Sequence, residues 1–217
     1  MPQIKALIFD MDGVLVDTAR FHFLAWQRLA NKLGGQLSDD FGEQLKGVSR
    51  GECLDKILAL LGIEKPDTEK VALLSLKNTW HLELVERMTP ADTLPGAREL
   101  LEQAFELRIP IALGSASRNA DFILRKTDLR RYFEAIIDGT QLKKGKPHPE
   151  VFLKCAEALG IAPVHCAVFE DSIAGIEAAI RAGMFVVGVG RSTRLTHAHE
   201  VVESLAEFRL NSLLAMA

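Results

Sequence analysis

Lys5-Ala6-Leu7-Ile8-Phe9-Asp10-Met11-Asp12-Gly13 is the stretch on which the fold turns. A continuous apolar run stops abruptly at two carboxylates and a glycine. Such a run reads as a strand buried on both faces, the mark of a parallel sheet. The pattern returns at Ile109–Leu113, Ala135–Ile137, His165–Phe169 and Met184–Val189, with helical stretches near 96–107, 119–130, 149–159 and 173–182. Pro149 suits a first helical turn, and Gly160 and Gly183 suit the residue just past a helix. Alternation of this kind predicts an α/β fold with a doubly wound parallel sheet, a Rossmann-like core.

The stretch from about 19 to 88 breaks the rhythm. It holds no strand-like run, only helical periodicity over Phe21–Leu33, Arg50–Leu61 and Asp67–Arg87. Ser49 and Glu52 have the spacing of a capping box, which starts a helix at Arg50. A turn-rich segment, Thr89 to Gly96, leads back to the α/β pattern. The expectation is an inserted helical cap domain over 17–91, hinged near 15–18 and 89–95, on a catalytic core of 1–16 and 92–217.

Composition narrows the function classes. The 217 residues are 48% hydrophobic and 25% charged with a formal net charge of −3, and Lys and Arg are scattered. That is ordinary for a soluble domain and points away from nucleic acid. No window approaches ~18 uninterrupted apolar residues, so no membrane span is expected. Cys53, Cys155 and Cys166 lack metal-ligand spacing and read as reduced, buried thiols. The N-terminus lacks a signal-peptide layout. A cytoplasmic monomer is the expectation.

In open α/β sheets the site lies beyond the carboxyl ends of the strands. Asp10 with Asp12, Ser115, Lys146, and Glu170 with Asp171 all follow such runs. A lone strand-end aspartate is more often a turn former or a helix cap. Convergence on one sheet edge is a different matter, because four carboxylates would repel unless a divalent cation sat among them. Mg2+ suits hard oxygen ligands. Lys146 and the Ser115 hydroxyl then offer positive charge and a donor to a phosphoryl group.

These residues carry a resemblance. Asp10-Met11-Asp12-Gly13-Val14-Leu15-Val16-Asp17-Thr18 resembles the D-x-D-G-[VT]-L-x-D-[ST] signature of the haloacid dehalogenase superfamily. Gly114-Ser115-Ala116-Ser117, Lys146-Pro147-His148-Pro149 and Glu170-Asp171-Ser172 are similar to its second, third and fourth motifs. The resemblance implies that Asp10 attacks phosphorus and that Asp12 serves as general acid and base. It implies that Asp10, the Asp12 carbonyl and Asp171, with Glu170 nearby, hold Mg2+, and that Ser115, Ala116 and Lys146 bind the transferring phosphate. Lys143 and Lys144 do not precede the x-P-x-P turn and read as solvated charges. Haloalkanoic acid dehalogenases lack the second aspartate and phosphonatases carry alanine there, so Asp12 fits neither.

Between the core motifs, Phe21-His22-Phe23-Leu24-Ala25-Trp26, Glu43-Gln44-Leu45-Lys46-Gly47-Val48-Ser49-Arg50, Lys77-Asn78 and Pro90-Ala91-Asp92 resemble cap segments of the β-phosphoglucomutase family, as Ser117-Arg118-Asn119 resembles its core. That implies a mutase interconverting β-D-glucose 1-phosphate and D-glucose 6-phosphate through a 1,6-bisphosphate, with His22, Trp26, Gly47, Val48, Arg50, Lys77, Ser117, Arg118 and Asn119 as substrate-binding residues. Arg50 at a helix N-terminus would clamp a second phosphate, or else is a solvated helix residue. Trp26 packs a core or touches sugar, and Lys77 reaches the cleft or is solvated. The alternative function is a Mg2+-dependent sugar-phosphate phosphatase with the same core.

Overall fold

Strand β1 (Ala6–Phe9) alternates its side chains between two hydrophobic layers, Leu7 and Phe9 on one face, Ala6 and Ile8 on the other. This is the two-sided burial that a continuous apolar run requires. The computed structural model describes residues 3–45, 48–191, 193 and 195–215. Around β1 lie β2 (Ile111–Gly114), β3 (Ala135–Ile137), β4 (Cys166–Glu170), β5 (Phe185–Val189) and β6 (Glu200–Val202). All pairings are parallel, in the order β3-β2-β1-β4-β5-β6. The strand order reverses between β1 and β4, where Phe9 and Phe169 stack with ring centroids 4.5 Å apart.

Among the described residues, four α-helices follow β1 before the chain returns at Pro90: α1 (Ala19–Lys32), α2 (Asp39–Glu43), α3 (Arg50–Leu60) and α4 (Asp67–Val85). The remaining helices are α5 (Ala97–Glu106), α6 (Ala120–Lys126), α7 (Glu150–Leu159), α8 (Ile173–Arg181) and α9 (Leu210–Leu214). Leu100, Ile123 and Leu213, from α5, α6 and α9, join the layer on one sheet face; Phe152 and Ile176, from α7 and α8, join the other. The inserted helices bury a separate cluster around Trp26, Leu29, Leu54 and Ile57, with Trp80 packed against it. Burial of this size stabilises by roughly 25 cal/mol per Å2 of apolar surface removed from water, so the insert has a core of its own. Two backbone contacts bring its ends together: Val16 pairs with Thr93, and Leu94 N–H donates to the Leu15 carbonyl at 2.9 Å.

The capping box is present, with Ser49 and Glu52 bonded reciprocally and α3 beginning at Arg50. Several bounds differ from the sequence expectation. The stretch expected as one helix over 119–130 ends at Lys126, where Asp128 takes a positive φ of 55° and a 3-10 turn follows at Arg130–Tyr132. Three short elements, α2, β6 and α9, carry no sequence reading. β6 is three half-buried residues beginning with Glu200, too short and too polar to stand out as an apolar run. The three cysteines are free and buried, and no helix among the described residues is long and apolar enough to cross a membrane.

Candidate active site

The carboxyl end of β1 delivers Asp10 beside Lys146, from the loop before α7, and Glu170, from the end of β4. Lys146 Nζ donates to Asp10 Oδ1 at 2.6 Å and to Glu170 Oε1 at 2.5 Å. All three side chains are almost wholly buried. Burial pushes the Asp10 carboxyl up to about 7 against the pull of Lys146. Burial would depress the Lys146 ammonium, but Asp10 and Glu170 outweigh it and hold it above its ordinary range. The second Glu170 oxygen accepts from the Ser172 backbone N–H at 2.8 Å and its hydroxyl at 2.9 Å. Glu170 thus stands beside Asp10 and Asp171 at the sheet edge, bonded to Lys146 and to Ser172. One of its oxygens holds the lysine and the other holds Ser172, whose hydroxyl caps α8.

Ser115 follows β2 and is fully buried, its Oγ accepting from the Ser117 N–H at 3.1 Å. That leaves its hydroxyl proton free to be donated. Asp12 stands one turn beyond Asp10, half-buried, and accepts from the Thr18 hydroxyl. Burial raises its carboxyl while the Thr18 bond opposes. Gly13 permits the turn twice over. Its φ is +84°, and a Cβ there would fall 2.2 Å from Asp171 Oδ2. The Asp171 carboxylate therefore lies against the backbone of the loop that carries both aspartates.

Opposite, the inserted helices present a cluster of basic groups. Lys77 Nζ lies 2.7 Å from His22 Nδ1 and over the Trp26 ring at 4.7 Å, with 1% of the residue exposed. The His22 Nε2 is 3.0 Å from His81 Nε2 and 3.9 Å from Asp12 Oδ1. Burial, then the charge of Arg50, brings Lys77 down to about 7. Burial followed by Lys77 lowers both imidazoles, His81 to about 3. Arg50 Nη2 is buried with no partner among the described residues. Its guanidinium is lowered by burial and by Arg118, which projects from the core side.

A cavity of about 350 Å3 joins the two sides, lined by Asp10, Asp12, His22, Trp26, Val48, Arg50, Lys77, Ala116, Ser117 and Asp171 among others. Lys146 and Ser115 do not line it; Lys146 meets it through its bond to Asp10. Arg118 is exposed and does not line it, and Asn119 is tied to α4 by a 2.9 Å bond from its Nδ2 to Asn78 Oδ1. Trp26 does both things left open by its spacing, packing the cap cluster and facing the cavity. Lys77 is not a solvated charge. Gly47 lies outside the described residues. Sequence reasoning missed His81, whose one signal was its place four residues after Lys77 on one helix face.

A haloacid dehalogenase-like hydrolase family model matches residues 4–183, which contain every group just described. The chain belongs to that family. Within it, the chain is 44% identical to the β-phosphoglucomutase of Bacillus subtilis over 97% of its own length and 94% of the relative's. The crystal structure of β-phosphoglucomutase from Clostridium difficile superposes with a TM-score of 0.95 at 40% identity, covering 98% of this chain and 96% of that one. A phosphorylated carbohydrates phosphatase of Thermotoga maritima is 37% identical over 83% of this chain and 82% of its own.

Proposed function

We propose that this chain is a Mg2+-dependent sugar-phosphate mutase that interconverts β-D-glucose 1-phosphate and D-glucose 6-phosphate through an aspartyl-phosphate enzyme and a 1,6-bisphosphate. The observation that carries this reading is the pair of cationic ends on one cavity. Lys146 stands at one end beside Asp10. At the other is the buried, unpartnered Arg50 Nη2, with Arg118 near enough to repel it. Two guanidinium groups that repel each other, one with a buried and unpartnered nitrogen, fit a second phosphate. A hydrolase of monophosphates has no use for such an end, whereas a mutase must hold a bisphosphate by both.

The donor set fits Mg2+. Asp10, the Asp12 carbonyl and Asp171 are hard oxygens around the tight Gly13 turn, and two carboxylates with one carbonyl would leave the remaining positions open. An ion that keeps waters and takes phosphate oxygens suits that openness. When bound, Mg2+ neutralises Asp10 and the phosphate so that two anions can meet. The Asp10 carboxylate oxygen attacks phosphorus and the ester P–O bond breaks, with Lys146 and the Ser115 hydroxyl stabilising the phosphoryl oxygens. Asp12 gives its proton to the departing sugar oxygen and takes one back from the attacking hydroxyl in the return transfer. The sugar turns end for end between transfers while Arg50, Ser117, Arg118 and Asn119 receive the other phosphate. His22, Trp26, Val48 and Lys77 contact the sugar or the catalytic loop. In this reading residues 17–91 act as a cap over a core of 1–16 and 92–217, and the enzyme works as a cytoplasmic monomer.

Phosphorus NMR on protein supplied with Mg2+, β-glucose 1-phosphate and a trace of the bisphosphate tests this. Conversion to glucose 6-phosphate is expected, and chelation of Mg2+ should stop it. Free phosphate as the main product would install the second reading, a sugar-phosphate phosphatase, which the likeness to the Thermotoga maritima enzyme keeps in view.

A further inference from the structure

The peptide Ser49-Arg50 of the inserted helices and the peptide Gly145-Lys146 of the core are in contact, and each ends in a residue that serves one end of the cavity. A Cβ built on Gly145 would lie 2.9 Å from Ser49 Cβ, 3.0 Å from Glu52 Oε2 and 3.2 Å from the Ser49 nitrogen. Two of those atoms are backbone or one bond from it, so they cannot swing aside. The surface they form is stiff as well. Ser49 Oγ donates to Glu52 Oε2 at 2.6 Å, and the capping box holds both residues to the first turn of α3. Gly145 itself is not in the left-handed region, and its carbonyl accepts from the His148 N–H at 2.9 Å to close the Lys146 turn. Glycine is needed there for space, not for conformation.

We propose that Gly145 is a specificity-determining residue, whose missing side chain lets the Lys146 loop seat against the start of α3. The Arg50 end and the Lys146 end of the cavity then close as one unit and keep water from the phosphorylated aspartate. The proposal rests on the mutase reading and deepens it. A methyl at Gly145 acts as a wedge between the two peptides. It displaces Arg50 relative to Lys146 and opens the seam to water, while a small acyl phosphate, which needs only the Lys146 end, is still processed. Geometric offsets of this scale are costly to positioned transfers and favour hydrolysis in a site that works by excluding water.

Gly145→Ala and Gly145→Val, made in the full chain and assayed with Mg2+, test the wedge. Gly51→Ala is the control, because a Cβ on Gly51 of the same helix meets nothing within 4 Å. Isomerisation is expected to fall about tenfold in Gly145→Ala and further in Gly145→Val. The phosphoenzyme formed from acetyl phosphate should turn over to free phosphate at least as fast as in the wild type. Gly51→Ala should match the wild type in both. An unchanged ratio of isomerisation to hydrolysis in Gly145→Val overturns the proposal. So does a parallel fall of both rates with a lowered melting temperature, which would make the contact merely structural. Should the wild type itself give no isomer, the mutase reading fails. The phosphoenzyme lifetime still decides the contact, with a shorter life in Gly145→Val supporting it and an equal life removing it.

Discussion

The two sides of the cavity treat buried charge in opposite ways. On the sheet edge, Lys146 is clamped by Asp10 and Glu170, every oxygen of Glu170 is engaged, and opposite charges balance in place. On the helical side, Lys77, His22 and His81 are packed together near Arg50, with Asp12 3.9 Å from the nearest imidazole. The first arrangement raises the ammonium's affinity for its proton and the second lowers it. A balanced site is complete before substrate arrives. Basic groups crowded together lower one another's affinity for protons, and an anion placed among them relieves that repulsion.

Four substitutions probe that contrast. The largest effect is expected from Asp10→Asn, which leaves an amide with no nucleophilic carboxylate. Turnover should drop by on the order of 10⁴ or more; the base-labile phosphate seen on brief exposure to a phosphoryl donor should vanish. A label mapping to another residue would refute the assignment. Lys146→Met is expected to strand two buried carboxylates, costing about 3–5 kcal/mol of stability, measurable by urea denaturation. If the sheet edge is balanced as described, this loss shrinks at low pH, once Asp10 takes up a proton.

Arg50→Ala is expected to slow isomerisation on the order of 10²-fold, equivalent to ~3 kcal/mol of transition-state stabilisation, with acyl-phosphate hydrolysis changed far less. Equal losses in both would assign Arg50 to general cap closure. The smallest effect is expected from Lys77→Met and appears as a change in slope. A buried lysine held near 7 binds its proton less well folded than unfolded. Its burden is therefore full below about pH 7 and fades as pH rises towards its unfolded value near 10.4. Wild-type stability should gain at most about 1.4 kcal/mol per pH unit across that window from this group. Lys77→Met should flatten the rise, and an unchanged profile would mean Lys77 is charged and comfortable.

What the sequence revealed follows from how each feature is encoded. β1, β2, β4 and β5 were legible because strands buried on both faces are written as unbroken apolar runs, and the site residues stood at their ends. The start of α3 was legible because the helix announces itself through Ser49 and Glu52. β6 and α9 were hidden because a half-buried edge strand and a short terminal helix leave no period to read. The bonds from Glu170 to Lys146 and Ser172 were not legible, because adjacency to Asp171 says nothing of which side chains the fold brings up to a carboxylate. The basic cluster around His81 was invisible for a related reason. Lys77 and His81 look like a polar helix face until the fold turns that face inward.

The paired ends of the insert carry a consequence for ancestry. Because Val16 lies against Thr93 and Leu94 is bonded to Leu15, the chain leaves the sheet and re-enters it through one narrow doorway. Closing a loop whose ends already meet depends only logarithmically on the length between them. Whatever is threaded through that doorway can be lengthened, shortened or replaced with little consequence for the strands beneath. Asp10 and Asp12 stand just inside it, so under the proposed mechanism a lineage can exchange its substrate while inheriting its chemistry unchanged.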